Sequence, residues 1–343
     1  MGETKTRKHY SQDQLIRLGA EAPAALLEKG ILEGEKIGAP AGRLVRKGGH
    51  YWHMLGPGLT TGASDDDPSG IATYSQVGAS YGYKFLWLAP WLYPLAAVTQ
   101  EMCARIGLVT GRGLAANIRL HFSRRVLKWC AVLLFIANAV NIGADLGAMA
   151  KGVQLLAPHF SFAWLVVFFT LFSLGLQIFT PYVKYARYLK WLALVLIGYI
   201  FSAILAHLDW STILAQGFIP HIPFNKTGII LVCAVLGTTI SPYLFFWQTS
   251  SEVEDQITKG NTTVKLRRAA TSQDEVKDMR VDVWSGMFLS EIVMFFIVAA
   301  AGGILFSHGI THIDSATQAA EALRPFAGNA TYFLFAIGII GTG

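Results

Sequence analysis

From residue 51 onward, apolar runs of about 20 residues recur along the chain, each long enough to cross a hydrocarbon core of about 30 Å. The pattern predicts helical spans over 54–80, 85–107, 126–156, 162–180, 187–207, 227–254 and 282–306, with an eighth starting near 330. About 14 residues of that eighth run precede Gly343. At 1.5 Å per residue they reach only about 21 Å, so the reading is a chain that stops within a helix. The first 50 residues lack an apolar core of the secretory kind. Ser11–Gln14 has the form of a capping box before an amphipathic stretch, which predicts a short helix. The expected division is a cytoplasmic N-terminal segment (1–50) and a transmembrane core (51–343). Residues 111–123 read as an interfacial helix, and the polar stretch 255–281 as a mobile loop.

Two spans break their own pattern. The first contains Ser64-Asp65-Asp66-Asp67-Pro68-Ser69-Gly70. A charged side chain at bilayer depth costs about 2.5–3.5 kcal/mol on insertion scales, so three carboxylates there require water, a cation or protein around them. Pro68 and the neighbouring glycines also interrupt the helix, and non-helical backbone at this depth survives only where it is buried or lines a cavity. The sixth span carries Gly237-Thr238-Thr239-Ile240-Ser241-Pro242, a second break. The expected breaks are 65–70 and 238–242. Interrupted segments at matching places in two halves are the best sequence pointer to a transporter binding site. Carboxylates beside freed carbonyls make that site cationic.

Composition agrees: 53% of the 343 residues are hydrophobic and 15% charged, and mean hydropathy is +0.43. The net charge of +6 is a topology signal rather than a nucleic-acid footprint. Nine Lys/Arg fall in residues 1–50, and further groups at 105–128, 184–190 and 259–280, whereas the alternate loops hold little beyond Lys84, Lys226 and Arg324. The positive-inside rule then puts the N-terminus in the cytoplasm of a multi-pass protein, expected in a bacterial inner membrane. Cys103, Cys130 and Cys233 have no paired spacing and read as core residues. No nucleotide or metalloprotease motif is present, so any transport is secondary or passive and no cofactor or enzymatic activity is expected.

Gly56-Pro-Gly58, Asp67-Pro68, Ile71-Ala-Thr73 and Gln100–Leu114, with Ala144-Asp145-Leu146 and Ser241-Pro242, resemble the natural-resistance-associated macrophage protein (NRAMP) family of divalent metal transporters. The resemblance covers residues 54–343. It implies an all-α, LeuT-type inverted-repeat fold with alternating access, whose second repeat is truncated here. It carries the metal-ligand role to Asp67 and a carbonyl-ligand role to Thr238. The family's Asp-Pro-Gly-Asn becomes Asp67-Pro68-Ser69-Gly70, and its Met-Pro-His becomes Ser241-Pro242-Tyr243. A second family histidine falls at Gln248, and the glutamate paired with Asp145 is Ala148. A thioether selects soft transition metals, whereas oxygen ligands and water suit Mg²⁺ or Mn²⁺. The pattern therefore resembles the NRAMP-related magnesium transporter branch.

The expected ion site comprises Asp65, Asp66, Asp67, Gly70, Thr238 and Ser241, with Asp145, Tyr243 and Gln248 on an ion or proton path. Lys151 is the expected structural partner of Asp145, and Arg105 that of Glu101. The lipid bilayer and the transported divalent ion are the expected partners; nucleic acid is not. Four alternatives stay open: a proton-coupled Mn²⁺/Fe²⁺ symporter, a sodium-coupled amino-acid carrier, an intramembrane aspartyl enzyme and a truncated product that does not transport.

Overall fold

The computed structural model describes residues 55–180, 189, 193–206, 208–221 and 225–343. All of these except Leu55 belong to one compact unit, Gly56–Gly343. The predicted N-terminal helix, and the first part of the span expected over 187–207, lie outside the described residues.

The first span is two helices, α1 (Pro57–Ala63) and α2 (Pro68–Tyr81). A short 3₁₀ turn, Gly82–Phe85, leads into α3 (Leu88–Thr110), followed by α4 (Leu114–His121), α5 (Arg124–Leu156) and α6 (Phe162–Phe179). Beyond these lie α7 (Ile197–Leu205) and the short α8 (Trp210–Gln216). The sixth span is α9 (Lys226–Thr239) and α10 (Pro242–Thr258). Then come α11 (Val264–Ala270), α12 (Gln273–Ala300) and α13 (Ala316–Thr342). No strand occurs among the described residues. Four helical stretches there are long and apolar enough to cross a membrane: Arg124–Leu156, Phe162–Phe179, Lys226–Thr258 and Gln273–His308.

Both breaks are narrower than the sequence suggested. The first covers residues 64–67, because Pro68 does not end a helix but starts one. Proline fits the first helical position, where its missing N–H has no intrahelical partner, and Asp67 caps the new helix by accepting the Gly70 N–H. The second covers 240–241, with Pro242 again opening the following helix. Thr238 and Thr239 thus belong to the last turn of α9, and Gly70 to the first turn of α2.

The stretch 255–281, expected as a loose loop, is mostly helical. Thr263 caps α11, and Ser272 with Glu275 forms a reciprocal capping box that opens α12. Arg267 is buried and donates to the carbonyls of Gly111, Asn261 and Thr262, which fixes the connection to the end of α3. The eighth element also starts earlier than expected, at Ala316, and is interrupted at Gly328, whose φ of 82° leaves the helical region.

Helix α12 is the spine. Its Met279, Val283 and Met287 pack with Ala96, Ala97, Ala104 and Leu108 of α3. Its contact with α1 is made backbone to backbone: a Cβ on Gly286 would lie 2.1 Å from the Gly58 carbonyl oxygen, and one on Gly62 only 2.3 Å from the Gly286 carbonyl carbon. Small residues that admit such approach are what hold helices together in lipid, where the hydrophobic effect gives no drive. Asp282 of α12 secures the same junction by accepting the N–H groups of Gly56, Gly58 and Leu59 at 2.7, 2.7 and 3.0 Å. By contrast α5 and α6 leave large apolar side chains on the surface, among them Trp129, Phe135, Trp164 and Phe179.

Candidate functional site

The two breaks meet. Tyr243, the second residue of α10, donates its hydroxyl to the Ser64 carbonyl and to Asp67 Oδ2, both at 3.3 Å. Across the gap, a Cβ on Gly70 would stand 3.2 Å from both the Asp65 carbonyl oxygen and Thr238 Oγ1. Glycine here lets α2 and α9 close on each other. The asparagine that the family pattern places at this position would crowd both oxygens.

Asp67 is the centre of the arrangement. Its Oδ1 accepts the Gly70 N–H at 2.8 Å and the Ser69 hydroxyl at 2.6 Å. Its Oδ2 accepts Asn141 Nδ2 at 2.7 Å, and the same amide nitrogen donates to Asp145 Oδ2 at 3.2 Å. Two cavities flank the carboxylate. One, of about 700 Å³, is lined by Ser64, Asp67, Asn138, Asn141, Asp145 and Tyr243 among others. The other, of about 650 Å³, shares Asp67, Asn138, Asn141 and Tyr243 and adds Ser69, Thr238 and Ser241. Asp67 therefore serves both as helix cap and as cavity wall. The C-terminus of α9 also points its partial negative charge at the break, which favours a cation.

Ser241 lines the second cavity, but its hydroxyl turns back on its own backbone, donating to the carbonyls of Thr238 at 2.6 Å and Gly237 at 3.0 Å. The Thr238 carbonyl is thus engaged by Ser241. Gly70 contributes its N–H to Asp67.

Three expected members stand elsewhere. Asp65 and Asp66 line neither cavity; they are 1% and 0% exposed, and Ser290 of α12 donates to Asp65 Oδ2 at 2.8 Å. Gln248 is fully buried in another network. It accepts from Thr61 and from Gln100 (3.3 Å) and donates to Glu252 at 2.8 Å, tying α1, α3 and α10 together. The expected Asp145–Lys151 pair is absent, for Lys151 lies over the Phe162 ring, 5.9 Å from its centroid. Glu101 does pair with Arg105, and also with Arg280 and the Trp284 indole. Cys233 is exposed rather than in the core.

Sequence reasoning missed Asn141. The signal was available: Asn138, Asn141 and Asp145 recur at helical spacing within an otherwise apolar span. Among the described residues no three His, Cys, Asp or Glu side chains gather closely enough to hold a metal. An ion at Asp67 would draw its remaining ligands from amides, hydroxyls, carbonyls and water.

Paired broken helices that meet around a carboxylate define an all-helical, polytopic membrane protein of the LeuT-like class, and solved structures carry the same fold. A manganese transporter of Eremococcus coleocola, in the crystal structure of a point mutant, superposes with a TM-score of 0.66 at 21% identity over 85% of this chain. The chain spans 62% of that transporter's length. A structure of the same transporter with an aromatic bis-isothiourea compound gives a TM-score of 0.62 at 20% identity, with the same coverage. The model of the natural resistance-associated macrophage protein-like (Nramp) family matches residues 58–343, and the chain belongs to that family. Its relatives include the divalent metal cation transporter MntH of Yersinia enterocolitica, 28% identical over 299 residues that make up 84% of this chain and 68% of the relative. The protein of the same name from Verminephrobacter eiseniae is 27% identical over 335 residues, 93% of this chain and 69% of the relative.

Proposed function

We propose that the chain carries a divalent metal cation across a membrane by alternating access, as a secondary or passive transporter, and that the ion is a hard one, Mg²⁺ or Mn²⁺. The observation that carries this reading is Asp67, a carboxylate at the meeting of two broken helices that lines two cavities. Membership of the Nramp family and the divalent metal cation transport for which the relatives are named point the same way. The choice of a hard ion rests on the donor set: Asp67, Ser69, Thr238, Ser241, Asn141, Asp145 and Tyr243 offer oxygen or amide groups, with no thioether or imidazole, and the one sulfur on the cavity walls is the Cys130 thiol. Such ligands suit Mg²⁺ and Mn²⁺, and Mg²⁺ keeps several waters when bound, for which the cavities have room. In this reading Asp67 is the direct ligand. The Thr238 carbonyl and Ser241 hydroxyl complete the shell once their mutual bond opens, and Asp145 and Tyr243 hold the ion's waters. The distribution of Lys and Arg supports a cytoplasmic N-terminus in a bacterial inner membrane.

The test is uptake of Mg²⁺ and Mn²⁺ into liposomes bearing the purified chain. Asp67→Ala should abolish it while leaving expression and helical content intact; uptake at the wild-type rate in that variant would remove Asp67 from the site.

A further inference from the structure

Next to Asp67, but lining neither cavity, the structure holds carboxyl groups that the proposed transport site does not use. Asp65, Asp66 and Glu291 are 1%, 0% and 4% exposed. Five of their six carboxylate oxygens accept no hydrogen bond of good geometry: Asp65 Oδ1, both oxygens of Asp66 and both of Glu291, although the Ser290 hydroxyl is a neighbour of Asp66 as well. The sixth, Asp65 Oδ2, accepts the Ser290 hydroxyl. Among the described residues, every charge that reaches these three groups is another carboxylate: Asp67 at Asp65, Asp65, Glu291 and Asp67 at Asp66, and Asp65 at Glu291. No arginine, lysine or histidine of those residues answers them. A buried ionised carboxylate without donor or counter-charge is costly, so such a group is neutralised by a proton or by a bound cation. Three carboxyl groups gathered beside a broken helix offer a cation several oxygens at once.

A cation bound there has constraints. It must be small, because the cluster is closed to solvent. It must be bound by oxygen, because oxygen is all that is offered. No three of the acids stand closely enough to share one metal, so a pair of carboxylates, Asp66 and Glu291, would hold it directly, with Asp65, the Ser290 hydroxyl and carbonyls at the 64–67 break beside them. Unwound backbone at a transporter's broken helix serves cations in this way. We propose that Asp65, Asp66, Ser290 and Glu291 form a second cation site, distinct from Asp67, that takes a small hard cation between the break of the first span and α12. The ion there would join the backbone at 65–66 to α12, the helix on which α1 already packs, and so would steady the first span while Asp67 gains or loses its own ligand. Sodium and magnesium share the required chemistry, and the experiment separates them.

Thermal unfolding of the purified chain in detergent is followed with NaCl, MgCl₂ or choline chloride at matched ionic strength, in the wild type, Asp67→Ala, and Asp67→Ala combined with Glu291→Gln or Asp66→Asn. Asp67→Ala removes the first site, so any remaining cation-specific rise in Tm belongs to the second. The expected result is a rise with NaCl or MgCl₂ over choline in Asp67→Ala that both double variants lose. A rise with NaCl alone identifies a monovalent site, and a rise with MgCl₂ alone a divalent one. The isosteric Glu291→Gln keeps the shape of the packing, and a cooperative transition in choline verifies that each double variant is folded. If the two variants do not fold, calorimetric titration of Asp67→Ala with each salt decides instead. Absence of any cation-specific effect in Asp67→Ala would mean that protons alone neutralise the cluster and would overturn the proposal, as would an effect that persists in both double variants. Neither result depends on whether Asp67 binds the transported ion, which is read separately from the difference between wild type and Asp67→Ala.

Discussion

A single residue shows how chemistry and geometry divide the work at this site. Ser241 stands where the family pattern has a methionine, and its hydroxyl bonds the Thr238 carbonyl at 2.6 Å instead of pointing into the cavity it lines. Ser241→Met would change two things at once: it would add a soft sulfur ligand and release the Thr238 carbonyl. Cd²⁺ binding should tighten and Mg²⁺ binding weaken, each by about tenfold, or about 1.4 kcal/mol. Calorimetry with Mg²⁺, Mn²⁺ and Cd²⁺ on both proteins measures it, and an unchanged order of affinities would show that residue 241 does not face the ion. Residue identity at this scale was legible in the sequence; side-chain direction was not. The family resemblance singled out Asp67 among the three neighbouring aspartates, yet the expected ion site took in all three. The structure turns Asp67 toward Asn141 and Asp145, and Asp65 toward Ser290.

Among the elements, α12 determines where the first break sits. Gly58, Gly62 and Gly286 bring α1 and α12 into backbone contact, and Asp282 caps α1 through three N–H groups. Gly286→Leu would drive a branched side chain into the Gly58 carbonyl, with which even a Cβ clashes at 2.1 Å. Overpacking of this kind costs roughly 1–3 kcal/mol or more. The variant should melt several degrees lower in detergent than Gly237→Leu, a position where a Cβ meets nothing within 4 Å. Equal melting temperatures would mean that the α1–α12 contact contributes little. Element ends were predicted within a few residues where apolar periodicity was strong, as in α5 and α6. They failed where local capping outweighed composition. The stretch 255–281 looked like a loop because it is polar, yet Thr263 and the Ser272–Glu275 box start two helices in it. Pro68 was taken for a breaker, although proline at the first helical position is a starter.

The whole molecule brings the broken spans and α5 together so that one carboxylate borders two cavities. That convergence, rather than any one motif, is what transport of an ion requires, and the paired breaks made its outline readable in advance. The contribution of α5 was half visible: Asp145 was anticipated, whereas Asn141, which links it to Asp67, was not. The residues at the positions of the family's titratable groups also bear on coupling. Tyr243 replaces one histidine, Ala148 a glutamate, and Gln248, at the second histidine's place, is locked among Thr61, Gln100 and Glu252. Metal uptake should therefore proceed without proton influx. A pH-sensitive dye trapped in the liposomes should stay constant while Mn²⁺ enters, and metal-dependent acidification would reinstate a proton-coupled mechanism.

If the transported ion sits at Asp67, where the two breaks meet, anomalous diffraction from crystals of the chain grown with Mn²⁺ locates it. The expected result is a peak within coordination distance of an Asp67 carboxylate oxygen, about 2.0–2.6 Å for a hard cation, bordered by Thr238, Ser241 and Asn141 and absent in Asp67→Ala. A peak elsewhere in the molecule with none at Asp67, or one at Asp67 that persists in Asp67→Ala, would contradict it.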